Sequence, residues 1–422
     1  MTVHDAEAPR ALQPPPLLPV GYQQFHRDRF LNYQLNRLYS LGYMPHRALA
    51  AIGQRVRSFD DWCLEFARLA ERATAQGQLH QAAFAYRAAE FLTPPGHYQK
   101  VRYYERFIET FDRAFVNHGI ERHNVPYAGG ALPTIRLAAR GEHPRGTVLV
   151  HGGFDSLLEE FVGIYEHLAA AGYEVLAFDG PGQGGALRRH GLMFDHDWEK
   201  PTASVLDHFD RRDVTLLGIY MGGYWCLRAA AFETRVTRVI VMASVLDWLE
   251  QLRPTTRRLV RAMVRRRRFM NATIRLRMRL VPLLDHAIRQ CLMQIGGDKP
   301  MDAVDWLLEM NAAHQQPHRV TQDVLLLHGE RDRFQPLALH HAQRRSLISA
   351  RSVTERIFTE EEHAAYHCQM GNLGLAVDTV LGWLHGHRDG PSVASHRESD
   401  APCERPETTA EPRPPAGPRQ GR

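Results

Sequence analysis

The stretch Val214-Thr215-Leu216-Leu217-Gly218-Ile219-Tyr220-Met221-Gly222-Gly223 constrains this chain more than any other. Its apolar run fits a strand covered on both faces. The run ends on glycines, and Tyr224-Trp225-Cys226 opens a helical pattern. A strand that turns directly into a helix holds the turn residue in strained backbone. Side chains at Gly218 and Gly222 would collide with the strand and helix they join. Elbows of this kind present a nucleophile, ordinarily serine, at the end of a sheet. Here the elbow residue is Tyr220.

Around the elbow the chain alternates strands and helices. Candidate strands are 120–127, 134–139, 147–151, 174–179, 213–219, 239–243, 323–328 and 355–359, and the helical stretches between them supply the crossovers of a mostly parallel, doubly wound sheet. The fold class is therefore α/β. Residues 21–116 have helical periodicity and form a helical domain or cap, with segments at 60–76, 80–91 and 96–115. No clean 34-residue repeat emerges, although the pair of helices around Gly77 invites comparison with a solenoid. The α/β domain spans 117–388. It is interrupted at about 248–318 by a helical, arginine-rich insertion expected to lie over the carboxyl ends of the strands. Residues 1–20 and 389–422 are proline-rich or polar and are expected to be disordered.

The five cysteines are odd in number and scattered, which fits reduced thiols in a cytoplasmic protein. No secretory signal or membrane-spanning run is expected. The 52 Lys and Arg against 47 Asp and Glu make the whole chain only mildly basic, but no acid lies between Arg257 and Arg279. That run reads as a solvated helix face, a site for an acidic substrate, or a docking surface for an acyl-carrier protein. It lacks the aromatic interleaving or motif of a nucleic-acid binder, and no membrane partner is expected. The helical region and the insertion offer contact surfaces for a homodimer.

Four strand ends hold residues that could carry chemistry. His151-Gly152-Gly153-Phe154-Asp155 supplies glycine amides for an oxyanion, with the amide of Met221 as a second donor. Phe178-Asp179-Gly180-Pro181-Gly182-Gln183-Gly184 reads as a structural turn. Gly329-Glu330-Arg331-Asp332 places a carboxylate where it could orient a histidine. After the last strand, His363 and His367 compete for that histidine. Adjacent His340 and His341 are expected to diverge on a helix, and no metal or cofactor motif is present.

These residues resemble the α/β-hydrolase family that includes fermentation-respiration-switch-like proteins, fungal pigment polyketide-shortening hydrolases and 2,6-dihydroxypseudooxynicotine hydrolases. The likeness covers residues 22–388. It rests on the stretches 151–160, 178–184, Asp197-Trp198-Glu199-Lys200-Pro201, Gly218–Gly223, 228–233 and His367-Cys368-Gln369-Met370-Gly371-Asn372. The resemblance implies an α/β-hydrolase fold, with Asp332 as the acid and His367 as the histidine. It further implies an acidic residue near the oxyanion loop that assists substrate chemistry, for which Asp155, Glu159 and Glu160 are candidates. It also implies hydrolysis of an ester or thioester, or of a carbon–carbon bond beside a carbonyl, in secondary metabolism.

The family's elbow residue is serine, so Tyr220 is a departure. A phenol oxygen lies a ring further from the backbone, and with a pKa of about 10 it is almost wholly protonated near neutrality. Tyrosine nucleophiles do exist, as in sialidases. Three readings follow: Tyr220 as nucleophile or acid with His367 and Asp332; Tyr220 and His367 as the acid and base of a lyase or cyclase; or a pseudohydrolase that binds a ligand or partner. Cys226 and Cys368 are weaker candidates for a reacting group.

Overall fold

The computed structural model describes residues 12–243, 246–249 and 252–387. In chain order the first helices are α1 (Arg29–Ser40), α2 (His46–Arg55), α3 (Phe59–Ala75), α4 (Leu79–Leu92) and α5 (Tyr98–Ala114). Asp28 caps α1 by accepting from the amides of Phe30 and Leu31. Ser58 and Asp61 form a capping box at the start of α3.

Eight strands follow: β1 (Ile120–Tyr127), β2 (Gly130–Leu137), β3 (Thr147–His151), β4 (Glu174–Phe178), β5 (Val214–Ile219), β6 (Val236–Met242), β7 (Asp323–Gly329) and β8 (Ser352–Phe358). They form one sheet in the order β1-β2-β4-β3-β5-β6-β7-β8. Strands β3 to β8 run parallel, and β1 and β2 add an antiparallel edge. The helices of this part are α6 (Val162–Ala170), α7 (Gly184–His190), α8 (Glu199–Phe209), α9 (Gly222–Ala230), α10 (Pro254–Val264), α11 (Arg267–Leu280), α12 (Pro282–Ile295), α13 (Pro300–Glu309), α14 (Ala312–Gln315), α15 (Leu337–Ser346) and α16 (Leu373–Gly386). This is an α/β-hydrolase fold. Every residue of β4 and β5 is buried, because helices cover both faces there.

The chain leaves β3 for β4 on one side and returns to β5 on the other. The loop after β3 and the elbow after β5 therefore flank a topological switch point, where open α/β sheets bind ligands. The insertion reaches this point through α12 and α13. Gln294 donates to the carbonyl oxygens of Phe154 and Gly182, and Trp306 lies against the rings of Phe154 and Phe194.

Residues 12–20, expected to be disordered, lie instead as an extended strap on the body. A proline-rich segment offers few amides, but its carbonyls remain acceptors. Arg140 binds the Gln13 carbonyl at 2.6 Å, and the His167 ring meets the Pro16 carbonyl at 3.0 Å. The expected disorder at 1–11 and 389–422 falls outside the described residues.

A buried set of charges joins the helical part to the loop after β3. Glu160 accepts from Arg37 at 2.6 Å and from Arg87 at 2.9 Å. Arg87 also binds Glu90 and the Asp155 carbonyl, and Glu90 in turn meets Arg188 at 2.6 Å and Lys100 at 3.2 Å. Removing one member leaves its partners charged in a dry site. Arg87→Met should therefore cost about 3–5 kcal/mol in urea unfolding. Arg189→Met, which breaks an exposed pair with Glu105, should cost under about 1 kcal/mol. Equal small effects would contradict a structural role for the buried set.

Candidate active site

The backbone of Tyr220 is left-handed, with φ of 60°. Its amide donates to the Met242 carbonyl at 2.9 Å, which locks the end of β5 to β6. A Cβ on Gly218 would sit 2.1 Å from the Gly222 carbonyl oxygen, and one on Gly222 would sit 2.7 Å from that of Gly152. Gly218 thus meets the helix it leads into, as expected, whereas Gly222 is kept small by the end of β3 and its loop and not by the strand and helix of the elbow. A non-glycine residue with positive φ is strained, and such strain collects at functional sites.

Asp332 follows β7. Its Oδ1 accepts from the amides of Phe334 and Gln335 at 2.9 Å each, and its Oδ2 lies 2.5 Å from His367 Nδ1. His367 is buried in a turn whose next two residues, Cys368 and Gln369, both have positive φ. His363 is exposed on the surface, so the geometry selects His367 as the partner of Asp332. The Tyr220 ring meets His367 edge-on, with centroids 4.6 Å apart and planes at 87°. Phe334 and Tyr33 supply two further rings at 5.2 and 5.9 Å. Among the described residues no hydrogen bond joins Tyr220 to His367, and the contact is one of ring against ring.

Burial and neighbouring charge together set the protonation of these groups. Burial pulls the His367 pKa down, but the carboxylate of Asp332 outweighs it and holds the imidazole at about 10. Burial raises the Tyr220 phenol far above its ordinary value, and the carboxylates of Asp155 and Asp332 raise it further. At neutral pH the resting site therefore contains an imidazolium–carboxylate pair beside a neutral phenol.

On the loop after β3, the Gly153 amide donates to Ser156 Oγ at 3.2 Å, and Gln183 holds the Gly152 and Gly153 carbonyls at 3.0 and 2.7 Å. A Cβ on Gly153 would lie 2.5 Å from Tyr220 Cδ1 and 3.0 Å from the Met221 amide nitrogen. Gly153 is thus the seat of the tyrosine ring, which lies over the loop between Gly153 and Met221. Of the acidic candidates, Glu160 is held by Arg37 and Arg87, and Glu159 by Arg122 at 2.8 Å. Asp155 is raised by burial, against the pull of Arg37 and Arg87, and it is the carboxylate whose field acts most strongly on Tyr220. Cys226 and Cys368 are buried free thiols, and burial pushes the Cys226 thiol up.

His340 and His341, expected to diverge, both reach Glu355, with His340 Nε2 at 2.6 Å and His341 Nδ1 at 3.9 Å. The helix turns them toward one carboxylate on β8. Arg344 stands 4.0 Å from the same oxygen and balances its charge.

The sheet order, the elbow after β5, the acid after β7 and the histidine after β8 together define an α/β-hydrolase. The chain belongs to the serine aminopeptidase S33 family, whose pattern matches residues 142–367. It is 34% identical over 209 residues to the hydrolase LUC6 of a Fusarium species, across 42% of this chain and 49% of that protein. It is 32% identical over 266 residues to the 20-hydroxy-prefusarin hydrolase FUS2 of Gibberella moniliformis, across 52% of this chain and 62% of that protein. The matched region thus spans about half the length of these relatives. Among solved structures, 2,6-dihydroxy-pseudo-oxynicotine hydrolase superposes with a TM-score of 0.60 at 21% identity, over 83% of this chain and 94% of that one. AbyA5 superposes at 0.62 and 18% identity, over 81% and 90%. At such identities the likeness is one of fold.

Tyr33, Arg37, Arg87 and Phe334 did not stand out in the sequence as parts of the site. Tyr33 belongs to an apolar helical stripe, and only tertiary packing places its hydroxyl 3.4 Å from the His367 carbonyl oxygen. The raised pKa of His367 gives a test. A group held protonated by folding stabilises fully below its unfolded pKa of about 6.5 and loses that contribution as pH rises through about 10. The stability difference between wild type and His367→Gln, measured by urea unfolding, should therefore shrink steadily over that alkaline window. A difference independent of pH would contradict the ion pair.

Proposed function

We propose that the protein is an enzyme acting on a carbonyl substrate, with Tyr220, His367 and Asp332 at the reacting centre. The substrate class is an ester, a thioester or a carbon–carbon bond beside a carbonyl. The observation that carries this reading is the Asp332–His367 bond of 2.5 Å with the Tyr220 ring set edge-on against the imidazole.

In this reading Tyr220 serves as a proton donor and not as the nucleophile. Covalent attack would require the phenol to pass its proton to His367, which is already charged. A neutral phenol and an imidazolium can instead both donate to a carbonyl oxygen, making its carbon open to water. Water adds to that carbon and gives up a proton to the Asp155 carboxylate. The adduct then collapses, its bond to the leaving group breaks, His367 protonates the departing oxygen, sulfur or carbon, and exchange with solvent returns the proton held by Asp155 to His367. Asp332 keeps the imidazole oriented throughout. Gly152, Gly153 and Met221, the expected oxyanion donors, border the tyrosine ring, and the Gly153 amide is engaged by Ser156 Oγ, so in this reading Tyr220 and His367 take over the carbonyl oxygen.

The same protonation pattern also supports a second reading, a lyase or cyclase in which Tyr220 and His367 exchange protons with the substrate and water takes no part. Binding without turnover is the third outcome, and the variants separate it from the other two.

Turnover of a panel of aryl esters and thioesters should fall about 10²–10⁴-fold in Tyr220→Phe and in His367→Ala. Unchanged rates in both variants would remove the catalytic reading. Intact-mass analysis during turnover should show no acyl adduct on Tyr220, whereas an adduct there would make tyrosine the nucleophile. Tyr220→Ser restores the family's side chain but leaves His367 charged against Asp332, so it should form no acyl-serine near pH 7, and an acyl-serine there would show that His367 can act as a base.

A further inference from the structure

Helices α10 and α11 contribute no buried residue. They nevertheless carry large apolar side chains: Leu259, Phe269, Leu276 and Leu280 are 59%, 61%, 58% and 73% exposed. Phe269, Leu276 and Leu280 fall on one face of α11 by their spacing of seven and four residues. Arg268, Arg275 and Arg279 each precede one of them, a rotation of about 100°, and so flank the same stripe. Arg267 pairs with Asp302 and Asp305. Among the described residues, Arg265, Arg266, Arg268, Arg275, Arg277 and Arg279 meet no carboxylate in an ion pair.

An apolar stripe edged by unpaired arginines is the pattern of a helix that lies in a lipid interface. The apolar groups enter the acyl boundary, while the arginine stems follow them and keep the guanidinium groups among phosphates. We propose that the exposed face of α11, with the adjoining α10, is a docking face for an anionic phospholipid surface. An acidic protein helix would meet both kinds of group only if it carried an apolar stripe in matching register. A sheet of anionic headgroups over acyl chains meets both kinds of group at once. The expectation of no membrane partner rested on the absence of a spanning segment, and a surface helix needs none.

The test uses the full chain and vesicles of phosphatidylcholine with or without phosphatidylserine. The protein should float with phosphatidylserine vesicles at low salt, release at high salt, and ignore pure phosphatidylcholine. Each arginine near such a surface is worth roughly fivefold in partitioning, so the triple change Arg265→Gln, Arg268→Gln and Arg275→Gln should lower it on the order of a hundredfold. Phe269→Ser with Leu276→Ser should also weaken it at constant charge, and the emission of Phe269→Trp should shift to the blue on binding. These exposed sites leave the core untouched, which an unchanged melting temperature would verify. No flotation on phosphatidylserine overturns the proposal. So does binding indifferent to Phe269→Ser with Leu276→Ser, since that is adsorption by charge alone. A dimer dissociated by those same changes, without vesicle binding, assigns the face to a second copy of this chain and overturns it as well.

Discussion

The bond between Asp332 and His367 determines what the rest of the site can do. A carboxylate 2.5 Å from a buried imidazole keeps that ring charged well past neutrality. A charged imidazole cannot act as the base that would convert the neighbouring phenol into a nucleophile. The phenol is held neutral in turn by burial and by the two carboxylates Asp155 and Asp332. Exchanging serine for tyrosine at the elbow therefore changes more than the reach of one oxygen. It fills the space above Gly153 with an aromatic ring set edge-on against His367.

That arrangement depends on the helices before the sheet. Arg37 and Arg87 hold Glu160, and Arg87 also holds the Asp155 carbonyl, so the loop after β3 is fastened from outside the α/β part. With Glu159 and Glu160 engaged by arginines, Asp155 is the acid of that loop that acts on Tyr220. Tyr33 of α1 packs on His367 itself. The helical region is thus part of the wall of the site, and changes there should reach the chemistry through these contacts.

Much of this was legible in the sequence. Apolar runs bounded by glycine disclosed β3, β4, β5 and β7, because strands buried on both faces admit few polar residues. The elbow, Asp332 and His367 followed from strand-end loops and from the family resemblance. Edges were harder. β2 begins at Gly130, earlier than expected, because Pro133 reads as a turn, yet it pairs with Asn124 of β1 and its carbonyl accepts from Asp179. β8 begins at Ser352, where Asp323 anchors both Arg351 and Ser352. α2 escaped notice because its periodic stretch is short and carries Gly53, which fits where Phe25 crosses closely. Of the groups around His367, Tyr33 and Tyr220 lie more than a hundred positions away along the chain, and no local pattern encodes their meeting.

The protonation state of His367 in the resting enzyme tests the account most directly. Nitrogen-15 NMR of the histidine side chains, with His367 assigned through its loss in His367→Gln, reports whether each ring nitrogen bears a proton. The account predicts both nitrogens protonated at pH 7, with the Nδ1 proton far downfield in its bond to Asp332 and titration only near pH 10. A neutral ring at pH 7, titrating near the ordinary histidine value of about 6.5, would contradict it and return Tyr220 to the role of nucleophile.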